Sequence, residues 1–361
     1  MAGYGIINQV ALKETASARV FEKLVQGILH VNGKGVDESY INGSALGSQS
    51  IAIPKVALGG GSFRKLGATV NGGQFNANDP VVSTSDYLYI PLLYVYDRTE
   101  ELAKIMNDKA GYDLLGVKTD NIAKKMQRGI NALTFAVQIA QTLNDSYTDG
   151  TPTYVTEDAT PNIFKSFVDA NALLDEGDEN IGCDYFPTEN RQAFFRPTAF
   201  ATLKTSGDGK YITQSNYGQE MLATGVLNPF KNSEATKVEL RDGYSGEIDG
   251  VPCYKVSPIL LKLAASYVQS NGTTLADDAF ADIDVIVCTS VGTIRGFIST
   301  GDIEVVPSQK GQGWVLQPLV HGGCNCISGK SVRLIVKNGF ANPVTSAETA
   351  LTVLPPESQS A

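Results

Sequence analysis

The feature that most constrains this chain is Lys118–Tyr147, KTDNIAKKMQRGINALTFAVQIAQTLNDSY, the longest stretch with an unbroken helical period. Apolar residues fall at Ile122, Met126, Ile130, Leu133, Val137, Ala140 and Leu143, in steps of three and four that lay one stripe along a helix. Thr119 or Asp120 is placed to cap the start and Asp149-Gly150 to stop it. That predicts a rod of roughly 25 residues and about 40 Å. The other side carries Lys124, Gln127, Arg128, Asn131, Gln138 and Thr142, so the helix is expected to be largely one-sided, with Phe135 and Ile139 marking a second, smaller contact. Two architectures accept such a rod: an amphipathic helix over an ordinary domain core, or a spine crossing a flat, extended subunit. Gly129 suits either, because it permits close backbone approach.

The rest of the chain must supply what packs on that rod. With 361 residues and 42% apolar content it can bury a real core as one large domain or two ordinary ones. Thirty-six glycines, many in Asn-Gly and Asp-Gly pairs, add hairpins and loops to the helices, so the predicted class is α+β.

Upstream, Ser17–His30 places Val20, Phe21, Leu24 and Ile28 at helical spacing. The Gly-, Ser- and Asn-rich sequence up to residue 50 offers little to bury, so residues 1–50 are predicted to be an arm lying on something else. From Ser50, SIAIPKVAL alternates like a strand whose Pro54 prefers a sheet edge. A glycine-dense tip follows, GGGSFRKLGATVNGGQFNANDP. Val81–Tyr96, VVSTSDYLYIPLLYVY, then reads as a long strand bent at Pro91. Together they predict a protruding hairpin.

Asp97–Met106 is predicted as a short helix before the long one, and Thr160–Glu176 as a helix with Pro161 in its first turn and Phe164, Phe167, Val168 and Leu174 on its apolar face. Gln192–Lys204 changes from strand to helix at Pro197, and Ser206–Asn232 is polar with one helical patch at Gln219–Thr224. Gly246–Val256 is a hairpin about Asp249-Gly250. Asp282–Thr289 reads as a buried strand, Ser290–Phe297 as a short helix, Asp302–Pro307 as a strand, and Ser331–Lys337 as the last strand. The tail beyond about Glu348 is expected to be mobile.

Several chemistries are disfavoured. The net charge is −9 and the longest basic runs are Arg64-Lys65 and Lys124-Lys125, so there is no footprint for tight nucleic-acid binding. No apolar run reaches membrane-spanning length and no secretory leader precedes the chain, so synthesis in the cytosol is expected. Five scattered cysteines argue for thiols, not a disulfide framework. With only His30 and His321, His321-Gly-Gly-Cys324-Asn-Cys326 is the single ligand-rich cluster, and its spacing fits thiols near a turn better than a zinc site. Gly59-Gly60-Gly61 and Gly33-Lys34-Gly35 lack the Gly-Lys-Ser/Thr ending of a phosphate loop. The acidic run Asp175–Glu179 lacks the spacing of a calcium loop and reads as a solvated helix end. No catalytic residues, cofactor or metal are expected.

The order of parts is itself informative: arm, long hairpin with a glycine-rich tip, spine helix, compact α/β portion, returning strand. ANALLDEGDENIG leading into QAFFRPTAFATLK is similar to the helix, acidic turn, strand and proline-led helix of tailed-phage major capsid proteins. GEIDGVPCYKV is similar to their G-x-I-x-G-hydrophobic-P-hydrophobic hairpin, and HGGCNCISGKSVRLIV sits where their final strand crosses back. The chain resembles that family (HK97-like fold, shared with encapsulin compartments) over about Ser50–Lys337.

The resemblance implies an N-arm (1–50), an E-loop hairpin (51–92) with Phe63, Arg64 and Lys65 at its tip, a P-domain with the spine (93–150), an A-domain (151–318), and a return strand with C-terminal tail (319–361). It further implies self-assembly through hexamers and pentamers into an icosahedral shell around double-stranded DNA that is enclosed without specific binding. Portal and decoration proteins are implied partners, and the place of action is the virion, after assembly in the host cytoplasm. No charged coiled-coil precedes residue 50, so a separate scaffolding protein is expected in place of a cleaved built-in one. Lys65 could stand where some relatives carry a cross-linking lysine, but its acid and asparagine partners find no match here, so the resemblance does not extend to that bond. The alternatives are an encapsulin-like shell and an unrelated α+β enzyme or surface binding protein.

Overall fold

The computed structural model describes residues 14, 16–18, 20, 27–39, 50–56, 83–89, 92–94, 101–103, 114–205, 244–307 and 313–353. For 50–103, 114–115, 297–307, 313–315 and 317–321 it describes the path of strand or helix and not the side chains. The strands in chain order are β1 (Ser50–Val56), β2 (Ser83–Tyr89), β3 (Leu92–Tyr94), β4 (Glu101–Ala103), β5 (Tyr154–Thr156), β6 (Arg191–Phe195), β7 (Tyr244–Ile248), β8 (Val251–Lys255), β9 (Val268–Ser270), β10 (Thr273–Thr274), β11 (Ile283–Thr289), β12 (Thr293–Pro307), β13 (Gly313–Cys326), β14 (Val332–Val336) and β15 (Leu351–Val353). The helices are α1 (Leu114–Thr148), α2 (Ile163–Asp175), α3 (Pro197–Thr205) and α4 (Pro258–Ser266).

A six-stranded mixed sheet in the order β5-β14-β11-β6-β8-β7 forms the centre. Side chains alternate across a strand, so each strand feeds both faces. Phe194, Tyr254, Ile286, Leu334 and Val336 join one apolar cluster with Leu133, Phe135, Ala136 and Leu143 of α1 and Leu261 and Ala264 of α4. Ala193, Phe195, Cys253, Val285, Val287 and Ile335 join the other with Phe167 and Leu174 of α2 and Phe200 of α3. Helices on both faces make three layers, and this explains the near-continuous apolar runs in β11 and β14.

The spine differs from its sequence reading in two ways. It has 35 residues, so it starts at Leu114 and runs about 52 Å. Thr119 lies inside it, its hydroxyl donating to Gly116 O at 2.9 Å, and does not cap it. The seven stripe residues, Ile122, Met126, Ile130, Leu133, Val137, Ala140 and Leu143, are all buried, but so are Asn131, Thr134, Phe135, Gln138, Ile139 and Thr142. The one-sided expectation therefore holds only for the first turns, where Lys124 and Lys125 are exposed. Residues 131–140 are core all round, and Asn131, Thr134 and Gln138 there are satisfied by hydrogen bonds. Gly129 is not needed for close approach: an added Cβ would meet only Tyr267 Oη, at 3.8 Å. At the far end Gly150, at φ +66°, closes the helix with its N–H on Tyr147 O.

Other local readings need correction. Asn162, not Pro161, begins α2, its side chain accepting from Lys165 N, and Val168 points outward at 38% exposed. The helix expected over Asp97–Met106 is instead, where described, the strand β4 paired with β13. The helix expected over Ser290–Phe297 is a turn that opens β12, because Thr293, Ile294 and Arg295 enter a long antiparallel ladder with β13. The tail is not loose as far as Val353, since β15 pairs with β9 and Leu351 is buried. α4 has no counterpart in the sequence reading, although Ser257 caps it and Pro258 opens it. The Asp249-Gly250 hairpin takes positive φ at both central residues, 51° and 76°, as a type I′ turn requires. The helical patch at Gln219–Thr224 lies outside the described residues.

Candidate assembly site

β1 and β2 pair antiparallel from Ser50↔Tyr89 to Val56↔Ser83 and make a two-stranded sheet of their own, joined through residues 57–82. Phe63, Arg64 and Lys65, the expected tip, lie outside the described residues. Beyond β2 the chain enters a different sheet, β3 pairing with β13 across Leu92↔His321. The switch from one sheet to the other brackets Pro91, where the sequence predicts a bend. In a two-stranded ribbon each strand leaves one ladder unpaired, and this one lies beside β13 and the turn at Glu179–Ile181.

The arm behaves differently from its sequence reading. Residues 27–39 are docked on the chain's own body: Leu29, His30, Val31 and Val36 are buried. Asn131 of α1 accepts from Leu29 N at 3.0 Å and donates to Gly27 O at 2.9 Å. Gln192 of β6 accepts from Val31 N at 3.1 Å and donates to Leu29 O at 2.7 Å. Arg295 of β12, 2% exposed, donates to His30 O at 3.1 Å and twice to Glu38 Oε1, at 2.9 and 2.7 Å. Asp37 N donates to Thr293 O and Arg295 N to Asp37 O, so this strap extends the edge of β12. His30 sits between Phe135 and Phe194 with ring centroids 4.6 and 4.5 Å away. None of these polar residues has a local sequence signature, because their partners come from segments far apart in the chain. The one legible hint is three amides or hydroxyls, Asn131, Gln138 and Thr142, on an otherwise apolar rod.

The acidic run after α2 is not simply solvated. Asp175 pairs with the buried guanidinium of Arg191. Asp178 is 5% exposed, accepts from Asn180 N at 3.0 Å and from Ser328 Oγ at 2.5 Å. A cleft of about 460 Å³ lined by Glu176, Asp178, Glu179, Lys330 and Arg333 lies beside it. Gly329 packs against the end of the spine, its N–H on Asp145 Oδ2 at 2.6 Å.

His321, Cys324 and Cys326 lie on β13 and not at a turn. Burial pushes the thiol of Cys324 up to about 12 and that of Cys326 up to about 11, so both are protonated at neutral pH. No group of three or more His, Cys, Asp or Glu side chains among the described residues is placed to hold a metal ion. No helix among them is long and apolar enough to cross a membrane.

A spine helix, a three-layer α/β body and a hairpin ribbon define the class of this fold as α+β. No family model matches the sequence, and no curated protein matches it. Solved structures do. The head of Helicobacter pylori bacteriophage KHP40 superposes with a TM-score of 0.53 at 13% identity, covering 94% of each chain. The capsid of Ralstonia phage GP4 gives 0.52 at 11% identity, over 87% of this chain and 94% of that one. The chain therefore has the α+β fold of tailed-phage major capsids, the HK97-like fold.

Proposed function

We propose that this chain is a major capsid subunit that self-assembles, through hexamers and pentamers, into an icosahedral shell enclosing double-stranded phage DNA. The observation that carries the proposal is the end-to-end likeness to two phage capsid chains combined with a hairpin ribbon, β1–β2, that forms a sheet of its own. A neighbouring copy would pair with the open ladders of the ribbon.

The parts take roles on this reading. Residues 1–50 act as N-arm, with 27–39 its fixed root; 51–92 as E-loop; 93–150 as P-domain; 151–318 as A-domain; 319–361 as return strand and tail. Phe63, Arg64 and Lys65 make the inter-subunit contact at the hairpin tip. The seven-residue stripe of the spine fixes the body from which the limbs extend. The acidic balance of −9 keeps the shell from holding the packaged DNA, so enclosure is geometric. Scaffolding, portal and decoration proteins complete the particle, and the protein acts in the virion after assembly in the host cytoplasm. The work is structural, with no catalytic step.

Negative-stain microscopy of the chain co-expressed with its neighbouring genes tests this reading. Closed shells containing a portal and a separate scaffold are expected, whereas shells loaded with an enzyme cargo would make it a compartment protein.

A further inference from the structure

β5 is the outer strand of the six-stranded sheet, and the chain enters it from the spine and leaves it toward α2. It is therefore the edge strand that connects the spine to α2. It pairs parallel to β14 as far as Thr156↔Val336, and the next amide, Glu157 N, donates to Val336 O at 2.8 Å. On the other side of β14, Ile283 of β11 pairs with the same Val336, and Asp284 follows it. Glu157 and Asp284 thus flank one strand end.

Both carboxyl groups are buried, at 4% and 7% exposed. Glu157 Oε1 and Asp284 Oδ1 are each screened from solvent and make no hydrogen bond. Two cations stand nearby, each with its hydrogen bond made to a backbone carbonyl. Arg196, after β6, donates through Nη1 to Ala281 O and stands 3.9 Å from Asp284 Oδ1. Lys337, after β14, donates to Ala281 O at 3.2 Å and lies 3.5 Å from Asp282 Oδ1. On the α2 side Asp158 and Lys165 pair with each other at 3.1 Å, with Asp169 beside them. A buried carboxylate oxygen that lacks a donor costs free energy, and protonating the carboxyl beside a second buried carboxylate lowers that cost.

We propose that Glu157 and Asp284 form a proton-binding pair that latches β5: with the proton on Glu157 the edge strand is held on the sheet, and release of that proton to solvent loosens it. Burial first, and then the charge of Asp284, push Glu157 up to about 7 from 4.5, with Lys337 pulling the other way. Burial likewise pushes Asp284 up, against Lys337 and Arg196. The folded strand binds the proton more tightly than the opened one. The latch is accordingly fully made below the ordinary glutamate range, weakens as pH rises from 4.5 to about 7, and is lost above that. This inference is independent of shell assembly.

Hydrogen exchange on the full-length chain tests it, read at the amides of β5 and of Glu157 and corrected for the intrinsic rate. Opening should increase roughly 50-fold between about pH 5 and pH 8, while β11 amides stay flat. Glu157→Gln, which keeps a neutral donor, should abolish that dependence. A flat wild-type profile, or the same profile in Glu157→Gln, overturns the proposal. Infrared spectra of the wild type give a reading that needs no variant: a protonated-carboxyl band at pH 6 that fades by pH 8 supports the pair, and its absence at pH 6 overturns it. Calcium-dependent protection of β5 at pH 8 would put a metal ion in place of the proton and also overturn it.

Discussion

His30 and Gln138 lie 108 residues apart in the chain, and His30 Nε2 meets Gln138 Oε1 at 3.0 Å in a site closed to solvent. Gln138 Nε2 donates to Gly35 O and Thr293 Oγ1, both at 3.3 Å, which fixes its amide and leaves the oxygen facing the ring. An amide oxygen only accepts, so the imidazole carries its hydrogen on Nε2. One glutamine on the spine thereby ties strap, β12 and helix together.

Gln138→Ala should free that strap. It leaves the Gly35 carbonyl and the buried ring without this partner, a cost of about 1–3 kcal/mol. The check is a drop in denaturation midpoint together with faster exchange at residues 31–37, while amides of β11 and β14 keep their protection.

Two glycines of the spine region should respond in opposite directions. Gly329→Ala would drive a Cβ to 2.7 Å from Gln141 O and Thr142 Cα, backbone that cannot turn away. A loss of about 2 kcal/mol or more is expected. Gly129→Ala meets only Tyr267 Oη at 3.8 Å, and removing a glycine from a helix interior should stabilise by about 0.5–1 kcal/mol. Urea melts of the two variants against the parent read both signs.

The C-terminal strand hangs on Asn144, whose side chain donates to Leu351 O at 2.9 Å and accepts from Leu351 N at 2.8 Å. Asn144→Ala should cost about 1–2 kcal/mol. Limited proteolysis should then clip within 345–353, and the parent should resist cleavage there.

Removing the hairpin tip, residues Gly61–Asn78, should leave the body folded, because the described members of both apolar clusters pack on one another around the six-stranded sheet. Circular dichroism and the melting midpoint should stay near the parent values while particles disappear from electron micrographs. Normal particles from the deletion would remove the tip from the interface.

Sequence reading succeeded where a signal is local. The period of three and four in Ile122–Leu143, the Asp249-Gly250 turn, the Pro197 corner and the alternation in SIAIPKVAL each fix an element through neighbours in the chain. It failed where tertiary pairing decides. SVGTIRGF, expected to be a short helix, is rich in glycine and β-branched residues, and Arg295 pairs its backbone with Cys324 and its side chain with Glu38 within a strand. Gln138 and Thr142 look like a wet helix face because the groups that satisfy them, Gly35, Thr293 and Gly329, come from distant segments. For the same reason Asp178 reads as solvated until Ser328 is folded against it. The capsid resemblance rested on the order of parts, and the fold agrees with that order.

The most direct test of the central claim is electron microscopy of the purified full-length protein at rising concentration, with mass photometry alongside. The account predicts rings of five and six copies and closed shells that are lost when residues 61–78 are removed. A single-copy particle at every concentration, with amides of β1 and β2 as protected as those of β11, would contradict it.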